Sequence, residues 1–279
     1  MTVTTESVAS RPSTSSSRRP GADLAREIAE LGPWFHNLHL PDGTETFPDH
    51  WLGDFPTFKW RQLEARLPAD LAGWTALDVG CNAGFYSFEL ARRGATVVGL
   101  DADRHYLDQA RWAARRFGME DRVSFREGQV YDLGREPGDY DLVLFMGVFY
   151  HLRYPQLALD VLARKARRML VFQTLTAPGD EVAEAPVDLP LDARGRLGEP
   201  GWPRMSFIEH RLAGDPTNWW APNHACVEAM LRSAGLAVID RPGHEIYLCK
   251  PDPERAALAA QRDRFELASA LGVEHAAAG

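Results

Sequence analysis

The sequence has few cysteines, no long apolar run and no excess of positive charge. Its three cysteines, Cys81, Cys226 and Cys249, are widely spaced, and an odd number without paired spacing fits neither a disulfide framework nor a zinc ribbon. No stretch reaches the roughly 18 uncharged apolar residues of a membrane span, and the Ser-, Thr- and Arg-rich start lacks the apolar region of a signal peptide. We therefore expect a cytoplasmic protein without a membrane anchor, with a disordered tail over residues 1–20.

Acidic residues outnumber basic ones. The 279 residues include 39 Asp and Glu against 31 Lys and Arg, which gives a formal net charge of −8 and an isoelectric point near 5.6. Sequence-independent binding to a polyanion needs basic side chains that face phosphates without nearby acids. The balance speaks against such binding and leaves room only for a local basic patch. A hydrophobic content of 45% suffices for a substantial core, and we expect one α/β domain with additions.

Residues 78–85 read Asp-Val-Gly-Cys-Asn-Ala-Gly-Phe and stand between an apolar run and a helical pattern. This order predicts a strand, a turn containing Gly80 and Gly84, and the start of a helix. The glycines let the backbone turn sharply and approach a ligand, while the first helical turn offers unpaired N–H groups and a partial positive charge. The segment predicts a site for a polar or anionic ligand, and the alternative is an ordinary tight turn.

A second acidic residue supports the ligand site. A dinucleotide-binding turn would carry three glycines spaced GxGxxG, whereas this turn has two, with Asp78 before the first. That pattern resembles motif I of class I S-adenosylmethionine-dependent methyltransferases. Asp101 ends the next apolar run, 23 residues after Asp78, near the spacing of about 20 at which a strand-end carboxylate meets ribose hydroxyls. The alternative for Asp101 is a cap on the following helix.

Apolar strand patterns alternate with amphipathic helix patterns, which implies a parallel sheet covered by helices. The two strands at the end of the pattern are separated by a short link, which suggests the antiparallel hairpin of class I methyltransferases. Strands are predicted over 75–79, 96–101, 123–127, 141–145, 169–174, 237–241 and 245–249, and helices over 22–31, 85–93, 104–117, 155–166 and 224–234.

The resemblance implies a Rossmann-like α/β fold, a mainly parallel seven-stranded sheet with an antiparallel edge strand. About fifty residues rich in Pro, Gly and Trp interrupt the pattern, a length uncommon for an idle connection. We expect a tail (1–20), an N-terminal helical and aromatic extension (21–70), a core that binds S-adenosylmethionine (71–176), a substrate-covering insertion (177–223), the end of the core (224–250) and a C-terminal helical tail (251–279).

The resemblance also implies which residues surround the cofactor. The backbone of the glycine turn is expected near the methionine moiety, the acid at the end of the second strand near the ribose, and the stretch after the third strand near adenine. Many family members carry an acid in that last stretch, where this chain has a glutamine whose amide oxygen can accept from the adenine amino group. The expected residues are Asp78, Gly80, Asn82, Gly84, Asp101, Gln129 and Val130.

Tyr150 and His151 follow the fourth strand, and open α/β sheets bind ligands at the carboxyl ends of their strands. Both are therefore candidate catalytic residues. His151 is the best candidate for a general base because its pKa lies near neutral pH. The alternative is a histidine that orders a loop through hydrogen bonds to the backbone.

Further segments resemble the DUF1698 group of methyltransferase-like proteins, which includes bacterial tRNA uridine carboxymethyltransferases. The resemblance covers roughly residues 33–250. It rests on motif I and on four other segments: 34–37 (Trp-Phe-His-Asn), 53–60 (Gly-Asp-Phe-Pro-Thr-Phe-Lys-Trp), 146–151 (Met-Gly-Val-Phe-Tyr-His) and 218–223 (Asn-Trp-Trp-Ala-Pro-Asn).

By this resemblance, Lys59, Met146 and Tyr150 line the cofactor and its transferred group. The tRNA enzymes hold a carboxylated sulfonium cofactor with two further cations, a Lys and an Arg. Here the corresponding regions, 36–40 and 243–245, read His-Asn-Leu-His-Leu and Gly-His-Glu. A buried carboxylate would be left poorly paired, which costs several kcal/mol, so we expect ordinary S-adenosylmethionine.

The insertion mixes large aromatic residues with amides and titratable groups, as a substrate pocket would. In the alternative reading, Trp219 and Trp220 pack the insertion on the sheet and Asn223 caps the next helix. The candidate substrate contacts are Glu209, His210, Asn218, Trp219 and Asn223.

Two histidines three residues apart, His36 and His39, lack a nearby pair of carboxylates, so we expect no metal. The leading function is methyl transfer to a small molecule, in specialised metabolism. The first rival is modification of a tRNA wobble uridine, which needs a basic stripe at the pocket mouth, for which the run 164–168 is the candidate, with Arg164, Lys165, Arg167 and Arg168. Two others are cyclisation of the cofactor's aminocarboxypropyl arm and a sensor without catalysis.

Overall fold

The computed structural model describes residues 20–273, apart from the side chains of residues 20, 21, 263 and 264. The tail predicted for residues 1–20 lies outside this range except for Pro20, where the first helix, α1 (Pro20–Glu30), begins. Contacts divide the chain into two units, which end and begin at Pro33 and Trp34. The second unit, which begins at Trp34, contains the sheet.

A seven-stranded sheet forms the centre of this unit, in the order β3-β2-β1-β4-β5-β9-β8. Neighbouring strands among the first five are parallel, and β9 is antiparallel to both β5 and β8. The predicted fold is therefore confirmed, with the antiparallel strand one place in from the edge. The strands are β1 (Thr75–Val79), β2 (Thr96–Asp101), β3 (Val123–Glu127), β4 (Tyr140–Met146), β5 (Ala166–Gln173), β8 (Leu236–Gly243) and β9 (Ile246–Pro251).

Helices connect the strands, and two of them begin at a capping side chain supplied by the sequence. Asp103 accepts a hydrogen bond from the backbone N–H of His105 at 2.9 Å and so caps α4. Asn223 accepts from the N–H of Cys226 at 2.9 Å and caps α6. Each bond satisfies an N–H that has no partner within its helix. The helices are α2 (Phe55–Leu63), α3 (Phe85–Arg92), α4 (Arg104–Phe117), α5 (Pro155–Lys165), α6 (His224–Ser233) and α7 (Pro253–Leu271).

The core lies where the central strands meet the helices. In β4, the four residues 142–145 have no exposed surface, as expected for a parallel strand covered on both faces. Phe145, Phe149 and Phe172 pack with ring centroids 5.2–6.5 Å apart. Each such buried side chain contributes about 1.5–3 kcal/mol, so this cluster fixes the carboxyl ends of β4 and β5. The three cysteines are free and buried.

The insertion has its own small structure. After a 3₁₀ helix (Leu191–Gly198), two short antiparallel strands pair, β6 (Met205–Phe207) and β7 (Trp220–Pro222). The backbone N–H of Ala177 donates to the carbonyl of Pro222 at 2.8 Å and closes the base of the segment. No helix among residues 20–273 is both long and apolar enough to cross a membrane.

Candidate active site

The predicted strand, glycine turn and helix are present, as β1, residues 80–84 and α3. Gly80 and Gly84 have φ angles of +71° and +87°, which L side chains rarely adopt. A Cβ on Gly80 would lie 2.2 Å from Cγ2 of Val148, and a Cβ on Gly84 would lie 2.9 Å from the ring of Phe125. Both conformation and packing therefore require glycine here.

Asp101 fastens the glycine turn to the end of β2. Its Oδ2 accepts from the backbone N–H of Asn82 at 2.8 Å, and its Oδ1 accepts from the N–H of Asp103 at 2.9 Å. Burial raises the pKa of Asp101, and these two donors oppose the rise. The next helix is capped by Asp103, so the capping alternative for Asp101 is not what the structure shows. Each oxygen keeps lone pairs for a further donor, such as a hydroxyl.

Asp78 lies at the end of β1 with only 2% of its surface exposed. The hydroxyl of Ser87, in the first turn of α3, donates to its Oδ2 at 2.7 Å. Burial, together with the charge of Asp101, raises the pKa of Asp78 to about 7, against the opposing hydrogen bond from Ser87. Asp78 thus ties the strand to the helix and holds a carboxyl group directly below the turn.

Gln129 and Val130 follow β3 beside Asp101, because the N–H of Gly128 donates to the Asp101 carbonyl at 3.0 Å. Val130 is buried and Gln129 is exposed. Gln129 and Asp132 form a capping box, in which each side chain accepts from the other residue's backbone N–H. The Gln129 oxygen must therefore share its lone pairs to reach a bound adenine.

A chain of polar side chains lies where the carboxyl end of β5 meets the amino end of β9. The Lys59 ammonium donates to Oε1 of Gln173 at 3.0 Å, and the Gln173 amide donates to Oε2 of Glu245 at 3.1 Å. Glu245 Oε1 accepts from the backbone N–H of Thr176 at 2.9 Å. Burial lowers the pKa of Lys59, and the charge of Glu245 opposes the effect. The sequence pattern did not single out Gln173 or Glu245 as site residues. The position of Glu245 just before the last strand was the one available signal.

Met146 and Tyr150 flank this chain at the end of β4. Met146 is buried, and the next residue, Gly147, donates its N–H to the carbonyl of Gln173 at 3.2 Å. Burial, with the charges of Glu245 and Asp215, raises the pKa of Tyr150 to about 12. The Tyr150 hydroxyl therefore keeps its proton near neutral pH, and it can donate a hydrogen bond but is poorly suited to accept a proton.

The His151 ring packs at a tilt of 44° against Tyr150, with ring centroids 4.2 Å apart, and His151 also contacts the insertion. Its Nδ1 lies 2.9 Å from Oγ1 of Thr217, whose hydroxyl donates to Oδ1 of Asp215 at 2.7 Å. Burial would raise the pKa of Asp215, but the hydrogen bonds from Thr217 outweigh it and lower the value, so this carboxylate is ionised and only accepts.

The hydroxyl of Thr217 has one hydrogen, and Asp215 takes it. His151 must therefore donate from Nδ1, which leaves the lone pair on Nε2. Burial lowers the pKa of His151, and the Asp215 charge opposes the change, so the ring is neutral near pH 7. Among the described residues none hydrogen-bonds to Nε2, and this arrangement suits a general base. The loop-ordering alternative is also seen, since the bond fixes residues 215–217.

Comparison with known proteins identifies the family of this core. A family model described as a methyltransferase domain matches residues 76–171, the region that contains the glycine turn, Asp101 and Tyr150. The chain therefore carries a class I methyltransferase domain. The sequence prediction of that family is confirmed, and the narrower DUF1698 group stays a prediction.

Curated relatives of this chain include bacterial proteins named tRNA U34 carboxymethyltransferase. The one from Alcanivorax borkumensis is 37% identical over 161 residues, which are 54% of this chain and 46% of the relative. The one from Shewanella piezotolerans is 30% identical over 228 residues, which are 74% of this chain and 66% of the relative. The chain thus spans about half to two thirds of the length of these relatives.

Solved structures share the fold of this chain. The N-terminal domain of EvdMO1, crystallised in the presence of SAH and D-fucose, has a TM-score of 0.57 and 21% identity, and the match covers 85% of this chain and 98% of that one. Magnesium protoporphyrin IX methyltransferase from Synechocystis PCC 6803, with bound SAM, has a TM-score of 0.50 and 19% identity and covers 84% and 92%. At these identities the likeness concerns the fold.

The insertion contacts the Tyr150–His151 segment through its second half. The N–H of Trp219 donates to the Tyr150 carbonyl at 2.8 Å, and the Trp220 indole donates to the Leu152 carbonyl at 3.0 Å. The ring of Trp219 also carries the guanidinium of Arg153, 4.3 Å from its centroid. These contacts hold the second half of the insertion against the Tyr150–His151 segment, and its role in covering a substrate stays a prediction.

The other candidate substrate contacts differ in their surroundings. Asn218 is buried and donates to the Leu212 carbonyl at 2.9 Å, while its Oδ1 has no partner among the described residues. Asn223 caps α6, accepts from Arg204 N at 3.1 Å and donates to a backbone carbonyl, so it holds the base of the insertion, as in the alternative reading. Glu209 and His210 lie exposed on the loop after β6.

The basic run 164–168 does not line the pocket mouth. Lys165 is buried and donates to the carbonyls of Glu136 and Gly138. Arg167 and Arg168 each pair with Asp141 at 3.0 Å, and Asp141 accepts from the N–H of Thr75 at 3.0 Å. Asp141 and Thr75 lie at the amino ends of strands β4 and β1, so these arginines lie at the opposite end of the strands from the glycine turn. Arg164 is on α5, which ends where β5 begins and so lies at the same end of the strands.

His36 and His39 face different surroundings. His36 is buried among aromatic rings, and burial with the nearby Lys59 charge lowers its pKa to about 3. His39 is half exposed, and its Nε2 lies 2.7 Å from Oδ2 of Asp54. The two histidines therefore have separate surroundings, and the expectation of no metal at this pair stays a prediction.

Proposed function

We propose that the protein transfers a methyl group from S-adenosylmethionine to a small-molecule acceptor. The observation that carries the proposal is that the glycine turn, its Asp101 anchor and the Tyr150–His151 pair all lie at the carboxyl ends of the parallel strands. Open α/β sheets bind their ligands at the carboxyl ends of their strands. The methyltransferase match over residues 76–171 supports the cofactor.

The residues around the turn have distinct roles in this proposal. The backbone at Gly80 and Gly84 lies against the methionine part of the cofactor, with no Cβ to prevent the approach. Asp101 accepts from ribose hydroxyls with the lone pairs that Asn82 and Asp103 leave available. Gln129 and Val130 flank adenine, and Met146 and Lys59 border the sulfonium end.

Glu245 supports ordinary S-adenosylmethionine over a carboxylated form. Lys59 is joined to Glu245 through Gln173, so its positive charge already has a negative partner. A cofactor with an extra carboxylate near Tyr150 would bring a second negative charge to the neighbourhood of Glu245. Like charges in a partly buried site repel strongly, so the transferred group in our proposal is methyl.

His151 acts as the base when the acceptor must lose a proton. The acceptor atom attacks the methyl carbon in line, the carbon–sulfur bond breaks, and its electron pair goes to sulfur, which yields S-adenosylhomocysteine. The acceptor proton passes to Nε2 of His151, while Thr217 and Asp215 hold Nδ1–H. Such transfer contributes about 10²–10⁴-fold in rate, and in-line positioning contributes separately.

The first test is binding followed by product analysis. Calorimetry with S-adenosylmethionine should show one site, and Asp101→Asn should weaken it. The protein is then incubated with S-adenosylmethionine and fractions of a metabolite extract, and the products are followed by mass spectrometry. S-adenosylhomocysteine that appears only with a small-molecule fraction is expected. Absence of cofactor binding would reject the proposal, and methylthioadenosine without an acceptor would favour cyclisation.

Modification of tRNA is the second candidate, because the relatives above bear the name tRNA U34 carboxymethyltransferase. The net charge of −8 and the placement of Arg167 and Arg168 at the amino ends of the strands, away from the glycine turn, speak against it. Product formation with added tRNA, and loss of that activity at high salt, would replace the small-molecule proposal with this one.

A further inference from the structure

Three metal-binding side chains meet beside the insertion. Asp180 lies in the insertion, His224 is the first residue of α6, and His244 is in the turn between β8 and β9. One ligand atom from each lies within 4.8 Å of the others. Oδ1 of Asp180 is 3.3 Å from Nε2 of His224 and 3.8 Å from Nδ1 of His244.

The buried histidine of this group has an unused nitrogen. The His224 side chain has no exposed surface, and its Nε2 has no hydrogen-bond partner among the described residues. The contact of 3.3 Å with Asp180 is close enough for an ion pair but lacks hydrogen-bond geometry. A buried polar atom without a partner costs about 1–3 kcal/mol, so a ligand for this nitrogen is to be expected.

We propose that Asp180, His224 and His244 bind a zinc ion. Two imidazoles and one carboxylate are a common zinc set, and bonds of about 2.0–2.2 Å place tetrahedral ligands about 3.3 Å apart. The separation of 3.3 Å between Asp180 and His224 already has that value, and rotation of the exposed His244 side chain would bring its ring to the same distance from both. A water molecule would complete the four ligands. The ion would fasten the start of the insertion to α6 and to the turn that carries Glu245.

Arg241 sets the strength of this site. Its Nη2 lies 2.9 Å from Nδ1 of His224, which also contacts the hydroxyl of Tyr247. A guanidinium only donates, so without metal it holds Nδ1 as an acceptor and the hydrogen sits on Nε2. Zinc needs the other tautomer, in which Nδ1–H donates to an acceptor such as the Tyr247 hydroxyl. Arg241 therefore competes with the ion, through tautomer and through charge.

The experiment titrates chelator-treated protein with Zn²⁺ by calorimetry and with Co²⁺ by visible absorption. The wild-type protein should bind one ion, with the strong absorption of four-coordinate cobalt. Asp180→Asn and His244→Ala change exposed residues, so both should fold and bind more than about 100-fold weaker, beyond the roughly tenfold to 100-fold effect of an outer-shell partner. His210→Ala, which removes an exposed histidine from the same insertion, is the matched control and should bind as wild type.

Arg241→Gln gives a result that misfolding cannot imitate, because it should bind zinc about tenfold more tightly than wild type. The proposal is overturned if the wild-type protein binds no ion at micromolar concentrations, or if Asp180→Asn and His210→Ala bind equally well. Binding of S-adenosylmethionine by Asp180→Asn is measured in parallel. Because the zinc site lies outside the cofactor residues, that binding should be unchanged, so the two proposals can fail separately.

Discussion

Oγ1 of Thr217 lies 2.9 Å from Nδ1 of His151, although 66 residues separate them in sequence. The contact does more than hold a loop, because the Thr217 hydrogen already goes to Asp215. The direction of one hydrogen bond thus sets which nitrogen of His151 is basic.

The first prediction concerns this hydrogen-bond relay. Thr217→Val removes the acceptor for Nδ1–H, so the ring loses its fixed tautomer, and methyl transfer to an acceptor that must lose a proton should fall about 10–100-fold in kcat, part of the range for a general base. Thr217→Ser keeps the hydroxyl and should retain most of the activity. The rate should rise with pH through a pKa below 6.5, because burial lowers the pKa of His151.

A readout without substrate checks the same relay. Nitrogen chemical shifts of His151 should show hydrogen on Nδ1 in the wild type and in Thr217→Ser, and a mixture of tautomers in Thr217→Val. Identical shifts in all three proteins would remove Thr217 from this role. Cofactor affinity should stay constant throughout, since none of these groups belongs to the cofactor residues.

The second prediction concerns the cofactor's charge. Glu245→Arg reverses the charge next to Gln173 and Lys59, so affinity for a carboxylated sulfonium cofactor should rise relative to S-adenosylmethionine by about tenfold, or 1.4 kcal/mol. Glu245→Gln should give an intermediate ratio. Calorimetry with both cofactors measures the ratio, and a preference of the wild type for the carboxylated form would contradict the assignment of Glu245.

The third prediction concerns the glycine turn. Gly80→Ala combines a positive φ with a Cβ at 2.2 Å from Val148, so it should destabilise the fold by about 2–5 kcal/mol, the sum of a left-handed alanine and an overpacked contact. Gly118→Ala is the control, because Gly118 has a φ of +63° with open space around it, and about 1–2 kcal/mol is expected. Adding Val148→Ala to Gly80→Ala should recover the packing part only. Equal losses for the two glycine variants, in urea unfolding, would contradict the clash.

The fourth prediction concerns Asp78, whose folded-state pKa of about 7 is raised above its ordinary value. A raised pKa means that the folded protein holds the proton more tightly than the unfolded chain. The associated stability is full below about pH 4 and is lost as the pH rises through 7. Asp78→Asn has no such loss, so from pH 5 to pH 8 it should gain about 2 kcal/mol relative to wild type, measured by denaturant unfolding. A constant difference across that range would mean that Asp78 is ionised throughout.

Local patterns account for much of what the sequence predicted. The strands 75–79, 96–101 and 123–127 agree to the residue with the structure, because each is a short apolar run with turn signals on both sides. The glycine turn and Asp101 have a spacing set by one strand–helix–strand unit. The links from Gln173 to Glu245 and from His151 to Thr217 join residues 72 and 66 positions apart. The tertiary fold brings those residues together, so no spacing in the sequence predicts the contacts.

The base of the insertion has a consequence for how this protein can change. The hydrogen bond from Ala177 to Pro222 places the two ends of the insertion side by side, so a different loop can span the same gap without moving β5 or α6. In the proposed function, in which the insertion covers the acceptor, such a replacement would bring a new wall to the acceptor and a new partner for Nδ1 of His151, while the glycine turn and Asp101 stay in place. Evolution or a designer can therefore exchange the acceptor and keep the cofactor by grafting one loop.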